Sequence, residues 1–434
     1  MNRRSIFLPI NSTAFKQQFY LLVCLLLLVL PDTALSKYLP GASVLRFAVI
    51  LFLWAGSFLW PRNDRLGPVP KIGLYGVIPW IIAGVISSVL CQAPILGLIK
   101  ICLYTGLMMP LFFSQWIANC FRHAERIGPL RFGLFLLAAA GPFIFRNSNQ
   151  VGLAALFFLP FIFNSNLSRR SHIRLGNKLN LFYLGGIALV FLILLGSSSR
   201  GSLVGGIAVV LCYLALRKSK TRSSIMGKLI LITCCGLFGS VAVGVEENTA
   251  VSNFAYKGGE NIMDDKRRLM FDESLDSFLK EPVFGYGFGL SDRVDTADQK
   301  EVFQTGRLSQ IVGEFGNSTI AILCGGGIAL LLTLGGLIGV VVINGIDRLT
   351  ILPIGHPFRQ MLCASVSGVI GLGVQAQAEG WMLSYTWPTF VFWMLLGHLN
   401  NYSGNNLSRG VPGRIRRSQL PRRATKNHRT SFVR

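Results

Sequence analysis

Apolar runs long enough to cross a bilayer recur along almost the whole chain, from residue 19 to residue 398, separated by short polar breaks. Lipid offers no hydrogen bonds to a bare backbone, so such runs must be helices or strands of a closed barrel. Barrel strands alternate polar and apolar residues. Stretches such as LLVCLLLLVL at 21–30 do not alternate, so the chain is read as all-α. Twelve spans are expected, at roughly 19–36, 43–60, 72–90, 95–117, 131–145, 151–165, 180–196, 202–216, 228–245, 319–344, 361–379 and 385–398. Charged residues make up 14% of the sequence, against about a quarter in a soluble domain.

The net charge of +23 would suit a nucleic-acid partner, but its placement argues against one. The N-terminal tail, every second connection and the C-terminal tail together hold 29 of the 42 Lys and Arg. The short opposite connections hold Lys37, Arg146 and Arg200. This is the distribution that leaves basic loops on the cytoplasmic side, so both termini are expected there. The basic tail at 399–434 is expected to rest on anionic lipid. A basic start, an apolar stretch at 20–30 and TALS at 33–36 also resemble a secretory leader. Retention is preferred, because the first helix begins a consistent alternation.

These breaks divide the chain into helices one to nine (1–245), a large outer loop (246–318), helices ten to twelve (319–398) and the basic tail. The loop carries 14 of the 19 Asp and Glu. The segment KRRLMFDESLDSFLK within it predicts a helix with Leu269, Phe271, Leu275, Phe278 and Leu279 near one face. Pro282 and the glycines of EPVFGYGFG predict a turn that ends this helix. That GxGxG follows no strand and opens no helix, so it is not a dinucleotide fingerprint. Glycine clusters at 205–206, 325–327, 335–336 and 339 predict close helix–helix packing. The nine cysteines form no CxxC pair and read as apolar packing, with no metal site or cofactor implied.

The candidate chemistry lies on the outer side. Arg200, in the tight turn Ser197–Gly201, either anchors a helix end among headgroups or faces a cavity and binds an anion. Lys266, Arg267 and Arg268 either pair with Asp264, Asp265, Asp272 and Glu273 or form a second anion clamp. Snorkelling accounts for Arg46 and Lys100, although Arg46 could also reach the outer mouth, as could Glu379. All five histidines map to the inner side, so an outer general base would have to be a carboxylate.

Four features in this order resemble the O-antigen ligase and polymerase superfamily of bacterial membrane glycosyltransferases. They are Ser199-Arg200-Gly201, Arg267 with Leu275, the turn Pro282–Gly289, and the helix Leu308–Gly316 feeding the next span. The closing EGWMLSYTWPTFVFWMLLG is also similar. The resemblance implies a bacterial inner-membrane enzyme. It would take a polyprenyl-diphosphate-linked glycan at the outer face and transfer it to an acceptor glycan, with inversion and without a metal. It implies that Arg200 and Arg267, or Arg268 if the alignment slips by one, bind and stabilise the departing diphosphate, with Ser199 beside them. A chain-length regulator and a flippase are further candidate partners.

Ligases of this family carry a histidine at the position of Thr305, and Gly306 also departs from the pattern, while Gly316 and Thr319 keep it. That favours a polymerase over a ligase acting on lipid A-core or protein. Glu314, Glu273 and Arg307 are the candidate substitutes, although Glu314 also reads as a plain helix-surface residue. The rival from another class is a polysaccharide transporter or glycolipid flippase, but the sequence lacks the repeated halves such proteins show.

Overall fold

A computed structural model describes residues 12–38, 44–60, 71–122, 129–145, 147–163, 176–197, 199–219, 221–222, 224–232, 273–290, 317–354 and 356–401. Among them every regular element is helical, apart from one isolated antiparallel bridge between Thr33 and Phe145. The helices are α1 (Ser12–Val29), α2 (Leu45–Leu59), α3 (Lys71–Leu90), α4 (Pro94–Phe113), α5 (Gln115–Arg122), α6 (Pro129–Ile144), α7 (Ser148–Phe163), α8 (Gly176–Gly196), α9 (Arg200–Lys218), α10 (Ser318–Ile351), α11 (Pro357–Gln375) and α12 (Trp387–Asn401). Short helical runs occupy 224–232 and 273–280.

Among the described residues four stretches are long and apolar enough to cross a membrane: Thr13–Asp32, Gly73–Leu90, Pro94–Phe113 and Ser318–Ile351. Five further apolar helices are shorter. The expected count of twelve crossings is therefore not established. The expected span at 228–245 lies mostly outside the described residues, and α2, α6 and α7 are 15 or 16 residues long. A straight crossing of a ~30 Å core takes about 20 residues.

The first helix also differs from expectation. It starts at Ser12 rather than 19, because Gln17 and Gln18 are buried in the bundle and not left in a polar tail. The Gln18 Nε2 group donates to the Cys120 carbonyl at 3.1 Å, while its Oε1 is buried with no partner among the described residues. Pro31 then shortens the helix, and the chain continues to Lys37 in two 3₁₀ turns.

Contacts sort the connections into two ends. At one end Thr33 meets Phe145, Ser199 and Ser202 pack on Gly152, Ala378 packs on Gly201, and Phe47 meets Tyr385. At the other, Ser57 bonds Ser114, Asn401 bonds the Phe112 carbonyl, and Arg348 bonds the Leu399 carbonyl. Helices α9 and α11 approach closely. A Cβ on Gly205 or on Gly371 would lie 2.8 Å from the other's carbonyl oxygen, which is small-residue packing of membrane helices. The glycines at 335, 336 and 339 depart from expectation, since a Cβ there would meet nothing within 4 Å.

Helix α10 is broken at Gly327, whose φ of 65° and ψ of −167° are open to glycine almost alone. The break exposes backbone groups on both sides, and the turn after 273–280 takes them up. Tyr286 N–H donates to the Cys324 carbonyl at 2.8 Å, while Ile328 and Ala329 N–H donate to the Pro282 and Val283 carbonyls. Ser87 Oγ donates to the Gly325 carbonyl. The glycines at 325–327 thus receive a turn and not a second helix. As expected, 281–289 is a turn, and Gly285, Gly287 and Gly289 all have positive φ.

The turn is driven into the bundle. Phe288 is fully buried between Trp80 and Tyr104. Lys100 does not snorkel: it is 4% exposed, and its Nζ donates to the Gly289 carbonyl at 2.7 Å. The helical run before the turn differs from its predicted face. Leu275 and Leu279 are exposed, and Ser277 is the buried residue.

Candidate functional site

The site is built at the end of the bundle where α9 begins. Ser199 precedes that helix, but its hydroxyl does not cap it; it donates instead to Ser202 Oγ at 2.9 Å. Ser197 Oγ donates to the Leu194 carbonyl and accepts from the Ser199 N–H. These small polar residues seat the turn against Gly152 of α7. Arg200 is the first residue of α9, so the positive end of that helix dipole lies at the turn. Gly201 lies under Ala378, where an added Cβ would come within 2.4 Å.

The segment 376–386 therefore roofs the turn, and it is tied to α10. Ser318 N–H donates to the Ala376 carbonyl at 2.8 Å, and Ser318 Oγ donates to the Glu379 carbonyl at 2.6 Å. Asn317 accepts from the Thr319 and Ile320 N–H groups, a side-chain cap that starts α10, and donates to the Gln377 carbonyl. Thr319 Oγ1 donates to Gln377 Oε1. Farther along, Tyr104 OH donates to the Met382 carbonyl and accepts from Trp393 Nε1.

Gln375 closes α11 beneath this roof and is fully buried. Its Oε1 accepts from Trp381 Nε1 at 2.6 Å. An indole N–H can only donate, so this contact fixes the amide orientation. The Nε2 group is then left buried with no partner among the described residues. Sequence reasoning missed this residue, although a glutamine in an apolar span was its signal.

Arg46 also does not snorkel. It pairs with Asp32 at 3.0 Å, an acid the sequence reading did not weigh.

Of the residues singled out from sequence, Ser199 and Arg200 lie at the turn that begins α9. Glu273 begins the run 273–280, exposed, with its carbonyl accepting from Ser277 Oγ at 2.8 Å. Arg267, Arg268, Thr305, Arg307 and Glu314 lie outside the described residues.

An all-helical bundle with membrane-length apolar helices, and a glycine turn docked into a broken helix, defines a membrane protein. Residues 185–335 match the family model described as O-antigen ligase. The match supports a relation to the O-antigen ligase/polymerase superfamily. It runs from α8 through the Ser199-Arg200-Gly201 turn and past the break at Gly327. No curated protein matches the chain.

Proposed function

We propose that this protein polymerises polyprenyl-diphosphate-linked oligosaccharide repeats into surface polysaccharide or exopolysaccharide, at the outer face of a bacterial inner membrane. The supporting observation is the start of α9 at Arg200, its first turn uncapped by Ser199, inside the segment that matches the family. A helix N-terminus and a guanidinium together suit phosphate oxygens.

In this reading an acceptor hydroxyl attacks the anomeric carbon of the donor glycan. The bond from that carbon to the diphosphate oxygen breaks, with inversion, and the polyprenyl diphosphate departs as an anion. Arg200 and Arg267, or Arg268, stabilise the growing negative charge, which is electrostatic catalysis without a metal. Glu314 or Glu273 takes the hydroxyl proton, and Thr305 and Arg307 line the acceptor side. Both termini are cytoplasmic, as the distribution of Lys and Arg favours. A chain-length regulator and a flippase would act with the enzyme.

Thr305 in place of the family histidine favours the polymerase. The family description favours a second reading, a ligase that transfers finished glycan to lipid A-core or protein. The test is glycan chain-length analysis in cells carrying wild type, Arg200→Ala or Arg267→Ala at equal expression. Loss of long chains with accumulation of a single lipid-linked repeat supports the polymerase. Normal chains left unattached to their acceptor support the ligase. Unchanged glycan in both variants sinks both readings and favours a transporter.

A further inference from the structure

The segment that roofs the Arg200 turn reaches a second cluster of polar and aromatic groups. Ala378 packs on Gly201, and seven residues later Tyr385 packs on Phe47 with ring centroids 6.1 Å apart. Beside Phe47, Arg46 pairs with Asp32. A second route links the same two places. Thr33 bridges Phe145, Phe145 stacks on Trp387, and Trp387 donates to Gln150, two residues before the Gly152 that seats Ser199.

The Asp32–Arg46 pair is not a closed structural bridge. Among the described residues it is the more buried of two ion pairs, with side chains 22% and 12% exposed, so neither partner is sealed from the outside. The guanidinium spends one nitrogen on Asp32, and its Nε is buried with no partner among the described residues. A buried N–H left unmade is costly, about 1–3 kcal/mol, unless something supplies an acceptor. The carboxylate uses one oxygen, Oδ1, on Arg46. Phe47 and Tyr385 add ring surface, and Tyr38, 81% exposed, directly follows the 3₁₀ stretch that ends at Lys37.

A carboxylate to accept hydroxyl protons, a guanidinium N–H to donate to hydroxyl oxygens, and aromatic faces for C–H surfaces are what a sugar ring calls for. We infer that Asp32, Arg46, Phe47 and Tyr385 form a subsite for a carbohydrate ring of the glycan, away from the bond being made at the Arg200 turn. The inference rests on the glycosyltransfer reading for its ligand class. The subsite would hold one repeat of the acceptor chain while its terminal sugar reaches the turn.

The test uses the full chain in lipid nanodiscs. The probe is the repeat-unit oligosaccharide released from the host's own surface polysaccharide, with no lipid or diphosphate. Arg46→Lys keeps the ion pair but removes Nε–H, and Tyr385→Leu keeps apolar bulk but removes the ring face. Binding is followed by saturation-transfer NMR, with thermal unfolding as the control for folding. The expected result is saturable binding to wild type, weakened about tenfold in Arg46→Lys and several-fold in Tyr385→Leu, with unfolding unchanged. No binding to wild type, or equal binding by all three proteins, overturns the subsite. If wild type binds the oligosaccharide as expected but forms no product from lipid-linked repeats, the transfer reading falls and the sugar site stands. If transfer depends on Arg200 while both variants bind like wild type, the subsite falls and the transfer reading stands.

Discussion

Lys100 and Gly289, 189 residues apart, meet in the interior of the bundle, where the lysine Nζ donates to the glycine carbonyl at 2.7 Å. The bond joins α4 to the glycine turn, and through that turn to the broken helix α10. An ammonium in a membrane-spanning helix is expensive unless it has a partner, and the turn supplies one where the sequence suggested snorkelling.

Lys100→Ala is expected to destabilise the protein by about 2 kcal/mol, because it leaves the Gly289 carbonyl buried with no donor. Thermal unfolding in detergent measures the loss. An unfolding temperature equal to wild type would mean that Phe288 and the backbone bonds of Tyr286, Ile328 and Ala329 hold the turn alone.

Gly327→Ala is expected to cost more, about 3 kcal/mol or above, from backbone strain and from a Cβ 2.2 Å from the Val283 carbonyl oxygen. Gly335→Ala on the same helix is the control. A Cβ there meets nothing within 4 Å, so alanine should be neutral or better by up to about 1 kcal/mol. Equal effects of the two substitutions would contradict the break at Gly327.

The contrast between these glycines shows what the sequence could and could not reveal. Apolar length exposes helices such as α3 and α4 directly, because lipid forbids any other backbone. The turn at 281–289 is equally legible, since Pro282 and three glycines suit no helix. Where the turn goes is not legible. Its partners Cys324, Gly325 and Lys100 carry no local mark of the contact, and a glycine that breaks a helix looks like one that merely lines it. Charge was misread for a related reason: Arg46 and Lys100 stand near or within apolar runs, but their acceptors Asp32 and Gly289 are set by tertiary packing. The turn at Ser199 and the start of α9 are legible from the sequence, and the Gln375 contact is not, because its orientation depends on Trp381.

Gln375→Leu and Trp381→Phe each remove one partner of the 2.6 Å bond under the roof. Each single change is expected to cost about 1–2 kcal/mol. In a double-mutant cycle the second change should cost less once the first is present, by about 1 kcal/mol. Strict additivity in thermal unfolding would show that the indole N–H and the amide do not depend on each other.

At the opposite end of the bundle, Arg359 is 2% exposed and acts on two helix ends at once. Its NH1 donates to the Leu349 carbonyl and, at 3.0 Å, to that of Leu352; its NH2 donates to the Ser219 carbonyl and, at 3.2 Å, to that of Leu216. These carbonyls belong to the last turns of α9 and α10, where a helix leaves acceptors unmet and a cation is favoured. Lysine keeps the charge but carries one nitrogen, and it cannot span both helix ends as the planar fork does. Arg359→Lys is therefore expected to cost about 3 kcal/mol or more. Arg222 pairs with Asp347 at 3.2 Å, but with side chains 58% and 40% exposed. Arg222→Lys there should change stability by less than about 0.5 kcal/mol, because water competes for an exposed pair. Thermal unfolding of the two variants side by side decides the matter: a small loss for Arg359→Lys would mean that α9 and α10 are held together by their apolar faces, with the arginine contributing little.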